Sequence, residues 1–116
     1  MKEIKAYIKP HMLANVVMSL KDFDRLSGLT VNKVQGFGRT RGKDARHRMV
    51  EDLIDYVPHV KLEIVCNDGI VDEIVAAIEK TAHTGLPGDG KIFVTNVETA
   101  SASAPESGGK ALCEGF

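Results

Sequence analysis

The pattern of apolar and polar residues predicts four strands, at residues 2–9, 30–38, 60–66 and 91–98, with strict alternation in the first and the third. In the first of these, Ile4, Ala6 and Ile8 occupy every second position, which is the period of a half-buried strand. Val31 and Val34 are the expected apolar anchors of the second strand. The alternating strands each have one apolar face, which is typical of a sheet that is covered on one side.

Two further segments carry apolar residues at helical spacing. The first predicted helix covers residues 12–26, and Gly28 is suited to a left-handed cap at its end. The second begins near Asn67 and Asp68, which are good N-cap residues, and is closed by Gly85. Its predicted buried stripe comprises Ile70, Val71, Ile74, Val75, Ile78 and Ala82.

The order of these elements is βαββαβ, which predicts an α+β, ferredoxin-like fold with an antiparallel sheet and two helices on one face. The other face would be uncovered, and its alternate apolar positions lead us to expect oligomerisation. Residues 1–98 form the predicted domain, with a long loop at residues 40–57. Residues 99–116 are rich in Ser, Ala and Gly and are expected to be a flexible tail.

Charge, apolar run length and cysteine number argue against several classes of function. A net charge of −1 in 116 residues argues against nucleic-acid binding. No apolar run is long enough to span a membrane and the first residues do not resemble a signal peptide, so we expect a cytoplasmic protein. Cys66 and Cys113 are too few and too far apart to predict a disulfide framework or a zinc ribbon.

Two glycine-containing loops carry the candidate chemistry. Residues 36–39 end the second predicted strand with a basic residue, Arg39, and residues 84–91 end with Lys91. Glycines let the backbone approach a ligand closely, and loop N–H groups form concavities that bind anions. The two loops together predict a phosphate cradle, with Arg39 and Lys91 as its cations.

These segments resemble the PII signal-transduction family. Gly36-Phe37-Gly38-Arg39 is similar to the start of that family's long loop, called the T-loop, and residues 84–97 are similar to its C-terminal signature. Ile8-Lys9-Pro10 and residues 60–65 are similar as well. The resemblance covers residues 1 to about 98.

The resemblance implies a homotrimer without catalytic turnover, with adenine nucleotide in the clefts between subunits and a T-loop that contacts partner proteins. The implied adenine side comprises Ile8, Leu29, Glu63 and Val65. The implied phosphate side comprises Gly36, Phe37, Gly38, Arg39, Thr40, Gly88, Asp89, Gly90 and Lys91. The basic or ionisable positions expected to meet a partner or an anion are Arg41, Lys43, Arg46, Arg48 and His59.

Departures from the family pattern change the expected ligand. Thr40 stands where the family usually has a Gln that serves magnesium and 2-oxoglutarate, which argues against 2-oxoglutarate sensing and leaves a role for magnesium open. Asp52 stands where some relatives are uridylylated on Tyr, and His59 replaces a Lys. Ala102 and Ala104 replace two arginines that would contact phosphates at about 1.5–3 kcal/mol each, so ADP or AMP is expected rather than ATP.

The divergent loop favours a regulator of a membrane transporter or a metabolic enzyme, with bicarbonate near Arg39 and Thr40 as a candidate effector. Ordinary nitrogen regulation is an alternative. Another is a trimeric metal-response protein that uses His47, His59 or Cys113. An enzyme such as a small phosphatase would need an activated nucleophile and a base, and the sequence shows no such constellation.

Overall fold

The computed structural model describes residues 1–24, 26, 28–36, 57–86 and 89–103. Within these residues all the predicted strands and helices are present in the predicted order. The strands are β1 (Lys2–Ile8), β2 (Thr30–Gly36), β3 (Val57–Cys66) and β4 (Ile92–Asn96). The helices are α1 (Leu13–Leu20) and α2 (Val71–Ala82), preceded by the 3₁₀ turns Pro10–Met12 and Asp68–Ile70.

The four strands form one antiparallel sheet in the order β2-β3-β1-β4. At its centre Ile4 lies opposite Ile64 of β3 and Val94 of β4. Side chains of α1 and α2, such as Leu20 and Ile74, join the buried cluster formed by one face of β1 and β3. Both helices therefore cover the same face, and the predicted α+β, ferredoxin-like fold is confirmed.

The predicted stripe of α2 forms a large part of the core. Ile74 and Ile78 are fully buried, Ile70, Val71 and Ala82 are also buried, and Val75 packs at the edge of the cluster. At about 25 cal/mol per Å² of apolar surface removed from water, stripes of this kind supply most of the driving force for folding.

Several predicted boundaries were wrong. Helix α1 ends at Leu20, well short of residue 26, so Gly28 is not its cap. Phe23 and Leu26 keep their apolar spacing because they pack against the core from turns, in which Phe23 N–H donates to the Leu20 carbonyl at 3.2 Å. Asn67 makes no side-chain capping bond, since a 3₁₀ turn precedes α2.

Strand β2 lies at the edge of the sheet, and this explains why the burial expected of Val31 was wrong. Val31 was expected to be an anchor, but it lies opposite Leu62 at the margin of the sheet and is 41% exposed. Val34, opposite His59, is half-buried on the other face. Residues 37–38 of this predicted strand lie outside the described residues, as does the 40–57 loop up to residue 56.

The uncovered face of the sheet is less apolar than expected. Tyr7 and Phe93 form an edge-to-face pair there, with ring centroids 6.3 Å apart. Around this pair the face carries charge, including Lys61 and Glu63, whose Nζ and Oε1 atoms are 3.6 Å apart. The face is therefore a small aromatic patch within a charged surround.

Candidate functional site

The carboxylate of Asp89 organises the described part of the second glycine loop. Its Oδ2 accepts hydrogen bonds from the backbone N–H groups of Thr84 and Gly85, each at 3.1 Å. Its Oδ1 accepts a short hydrogen bond from the Thr84 hydroxyl. The end of the loop is thus tied back to its beginning by one side chain.

Lys9, which directly follows β1, completes this arrangement. Its Nζ lies 3.1 Å from Thr84 Oγ1 and 3.3 Å from Asp89 Oδ1. On the outer side, His83 Nδ1 lies 3.3 Å from Asp89 Oδ2. We call Lys9, His83, Thr84 and Asp89 the Asp89 cluster.

The pKa of Asp89 is held well below its ordinary value. The largest cause is the hydrogen bond from the Thr84 hydroxyl, assisted by the N–H groups of Thr84 and Gly85 and by Lys9. Partial burial opposes this shift but does not outweigh it. The side chain is therefore a carboxylate at neutral pH, and it holds its loop partners in that form.

Gly90 brings the loop against the end of β1. Its φ is +100°, and a Cβ at this position would lie 1.8 Å from the Tyr7 carbonyl oxygen. The next residue, Lys91, accepts a 2.8 Å hydrogen bond from Tyr7 N–H through its carbonyl oxygen. Only glycine fits here, because any side chain would collide with the backbone of β1.

An open cavity of about 730 Å³ lies beside this loop. One wall is the C-terminal half of α2, including Glu79 and Lys80, and the other is formed by Gly90, Lys91 and Ile92. The volume falls in the range typical of small-molecule sites. Among the described residues, the Lys91 side chain is exposed and enters no ion pair, so its charge is available to an anionic group.

The structure separates the side chains predicted to meet adenine. Ile8 is buried beneath the helices, and Leu29 packs against the same core. Glu63 lies opposite Lys5 of β1, on the uncovered face of the sheet, and Val65 lies on that face as well. A single copy of the chain therefore does not bring these four side chains to one surface.

Other predicted positions fall on different parts of the chain. His59 is half-buried on β3 opposite Val34, and Gly36 ends β2. Ala102 belongs to the described part of the tail, which carries no helix or strand. The remaining predicted positions lie outside the described residues: Phe37, Gly38, Arg39, Thr40, Arg41, Lys43, Arg46, His47, Arg48, Asp52, Gly88, Ala104 and Cys113.

Sequence reasoning assigned no site role to Lys9 or Thr84. Both stand within the quoted motifs, but only the folded chain shows that they converge on Asp89. Within the described ranges no group of three His, Cys, Asp or Glu side chains is placed to hold a metal ion. The same ranges contain no helix that is long and apolar enough to cross a membrane.

Comparison with known proteins agrees with this fold and loop. The family model described as Nitrogen regulatory protein P-II matches residues 1–107. A nitrogen regulatory protein P-II of Haemophilus influenzae is 49% identical over 100 residues, covering 86% of this chain and 88% of that protein. One of Azospirillum brasilense is 42% identical over 113 residues, 97% of this chain and 100% of its own length. Nitrogen regulatory protein P-II 1 of Escherichia coli is 47% identical over 97 residues, 84% of this chain and 86% of its own.

These matches place the chain in a regulatory, signal-transducing class of protein with this fold. The chain belongs to the nitrogen regulatory P-II family. Proteins of this family are regulatory signalling proteins that interact with partner proteins. The resemblance seen in the glycine loops is thereby confirmed.

Proposed function

We propose that this protein is a signalling regulator that binds an adenine nucleotide at the loop of residues 84–91 and transmits its occupancy to a partner protein. The observation that carries the proposal is the conformation of the described residues of that loop, 84–86 and 89–91. Asp89 and Gly90 fix its backbone against β1, while Lys91 keeps an exposed ammonium group at the mouth of a cavity. A fixed glycine backbone beside a free cation is suited to a phosphate group.

The nucleotide we propose carries fewer phosphates than ATP. Ala102 and Ala104 stand where the family resemblance implies two arginines that would neutralise phosphate charge. Lys91 is then the main cation of the described loop that faces the ligand, since Lys9 is already paired with Asp89. One or two phosphates match this charge better than three.

A site shared between copies of the chain accounts for the separated adenine contacts. The side chains of Ile8 and Glu63 lie on opposite faces of the sheet, so one copy cannot surround a base with both. In the trimer that we propose, one copy supplies the glycine loop and another supplies part of the adenine contacts. The exposed aromatic patch around Phe93 gives such an assembly an apolar surface to bury.

For the output, we propose that loop 40–57 meets a membrane transporter or a metabolic enzyme, with bicarbonate as a candidate effector. A ligand shifts a loop equilibrium only by its differential affinity for the two loop states, so nucleotide and effector must contact the loop base differently. Ordinary nitrogen regulation is the second candidate, favoured by the names of relatives that are 42–49% identical. The two candidates differ in their effector, which would be bicarbonate in one and 2-oxoglutarate in the other.

Calorimetric titration with AMP, ADP and ATP tests the proposal, with magnesium, bicarbonate and 2-oxoglutarate added in turn. We expect ADP or AMP to bind more tightly than ATP, with 2-oxoglutarate without effect. Tight ATP binding that depends on magnesium and 2-oxoglutarate would favour nitrogen regulation instead. Absence of binding by all three nucleotides would refute the proposed function.

A further inference from the structure

We propose that Lys9, Thr84 and Asp89 form a positioning clamp, which sets the backbone of the glycine loop for an anion without touching that anion. The inference rests on the proposed function, because it concerns the same loop. It assigns Asp89, which lines the cavity, and its ion-pair partner Lys9 to the shaping of the site, and leaves recognition to Lys91 and to backbone N–H groups.

The contacts of Asp89 argue against a direct role toward phosphate. Both of its oxygens are engaged, Oδ2 with two backbone N–H groups and Oδ1 with Thr84 and Lys9. A carboxylate would also repel a phosphate brought into contact with it. Lys9 Nζ lies 3.3 Å from Oδ1 and its side chain is only 18% exposed, so its charge is already balanced.

Thr84 links the two charged groups to the loop backbone. Its hydroxyl donates to Asp89, while the same oxygen lies 3.1 Å from Lys9 Nζ and accepts from Leu86 N–H at 3.2 Å. The loop is thereby fastened at its start through Lys9. At its end it is fastened through the Lys91 carbonyl and Tyr7 N–H. The described residues at the two ends of the loop are thus held in place before a ligand binds, which lowers the entropy cost of binding.

The direction in which Asp89→Asn changes the affinity for an anion distinguishes a positioning clamp from a direct effect of charge. Asp89→Asn removes a negative charge beside the cavity, and Coulomb attraction alone would then strengthen the binding of an anion. A clamp predicts the opposite, since the amide cannot hold two N–H groups, a hydroxyl and an ammonium together. The released Lys9 would at the same time make the remaining affinity more sensitive to salt.

The experiment is a calorimetric titration of the full chain with pyrophosphate and with ADP. We expect Asp89→Asn and Thr84→Val each to weaken both ligands about tenfold, the effect of losing a charge-assisted hydrogen bond. Thr84→Ser keeps the hydroxyl and should stay within about threefold of wild type. Glu79→Gln removes a charge from the cavity wall without touching the clamp, and should strengthen binding by up to about threefold. Equal or tighter binding by Asp89→Asn would overturn the clamp.

Amide hydrogen exchange measured by NMR tests the clamp in the absence of any ligand. We expect the Thr84 and Gly85 amides to be protected in the wild type and to exchange faster in Asp89→Asn, while α2 amides such as that of Ile78 are unchanged. Rapid exchange at Thr84 and Gly85 in the wild type would overturn the clamp. Protected amides in a protein that binds neither ADP nor pyrophosphate would overturn the proposed function and leave the clamp standing as an organiser of the loop.

Discussion

At Gly90 the backbone has φ +100° and passes so close to β1 that a Cβ would lie 1.8 Å from the Tyr7 carbonyl oxygen. We expect Gly90→Ala to lower the free energy of unfolding by about 2–4 kcal/mol, because strain at positive φ and a backbone collision act together. Gly69→Ala is the matched control, since a Cβ there meets nothing within 4 Å. Urea denaturation measures both, and equal stability of the two variants would contradict the described loop.

The lowered pKa of Asp89 predicts a pH dependence of stability. The native pKa lies below the value of about 3.9 for an unfolded Asp, so the carboxylate's contribution is complete above that value and is lost as pH falls through the native pKa. We expect wild type to be more stable than Asp89→Asn at about pH 6, and the difference to shrink below about pH 4. Urea unfolding across this range measures it, and a difference that persists undiminished at the acid end would count against the cluster.

Single residues show where sequence reasoning reached its limit. Gly90 and Lys91 were predicted to lie in a loop that approaches an anion, and the structure shows Gly90 at positive φ against the backbone of β1. Asp89 was assigned to the ligand, yet its carboxylate is engaged by the loop itself. Spacing along the chain could not indicate that Lys9, 75 residues before Thr84, would be its neighbour in the fold.

At the scale of elements, α2 supplies a test of the core. Ile74 is fully buried between the helix layer and the sheet, so Ile74→Ala should cost about 2–5 kcal/mol through lost apolar contact and a cavity. Glu79→Ala, on the exposed face of the same helix, should stay within about 0.5 kcal/mol of wild type. Thermal and urea unfolding measure both, and a change at Ile74 no larger than that at Glu79 would contradict the assigned face.

The elements themselves were predictable because period-two and helical patterns are strong in β1, β3 and α2. The ends were less predictable. Phe23 and Leu26 continue the helical spacing past Leu20 while packing from turns, and the period alone cannot distinguish the two cases. Val31 looked like a core residue because the sequence does not show that β2 lies at the edge of the sheet.

At the scale of the molecule, the uncovered sheet face bears on the proposed trimer. Phe93, on the edge strand β4, is 50% exposed beside Tyr7 on that face. If copies of the chain pack there, Phe93→Lys should abolish assembly, because a buried unpaired ammonium is costly. Met18→Lys, at a 63% exposed position on α1, should leave assembly intact.

Sedimentation equilibrium measures the molecular mass of each assembly directly. Wild type and Met18→Lys should sediment at three times the 12.6 kDa of one chain, and Phe93→Lys at 12.6 kDa. A wild-type monomer would contradict the proposed trimer, and with it the shared site.

The topology of the sheet could be predicted without knowing the oligomeric state. The order βαββαβ and the apolar face of each element already restrict the sheet to few arrangements.

The central claim is that the loop of residues 84–91 binds the phosphates of an adenine nucleotide through Lys91. The most direct measurement is calorimetric titration of ADP into the wild type, Lys91→Ala and Lys21→Ala. Lys21 is the control because it is an exposed cation at the C-terminal end of α1, outside the loop. We predict that ADP binds the wild type and Lys21→Ala alike and binds Lys91→Ala about tenfold more weakly. Equal affinity for all three proteins, or no binding to the wild type, would contradict the account.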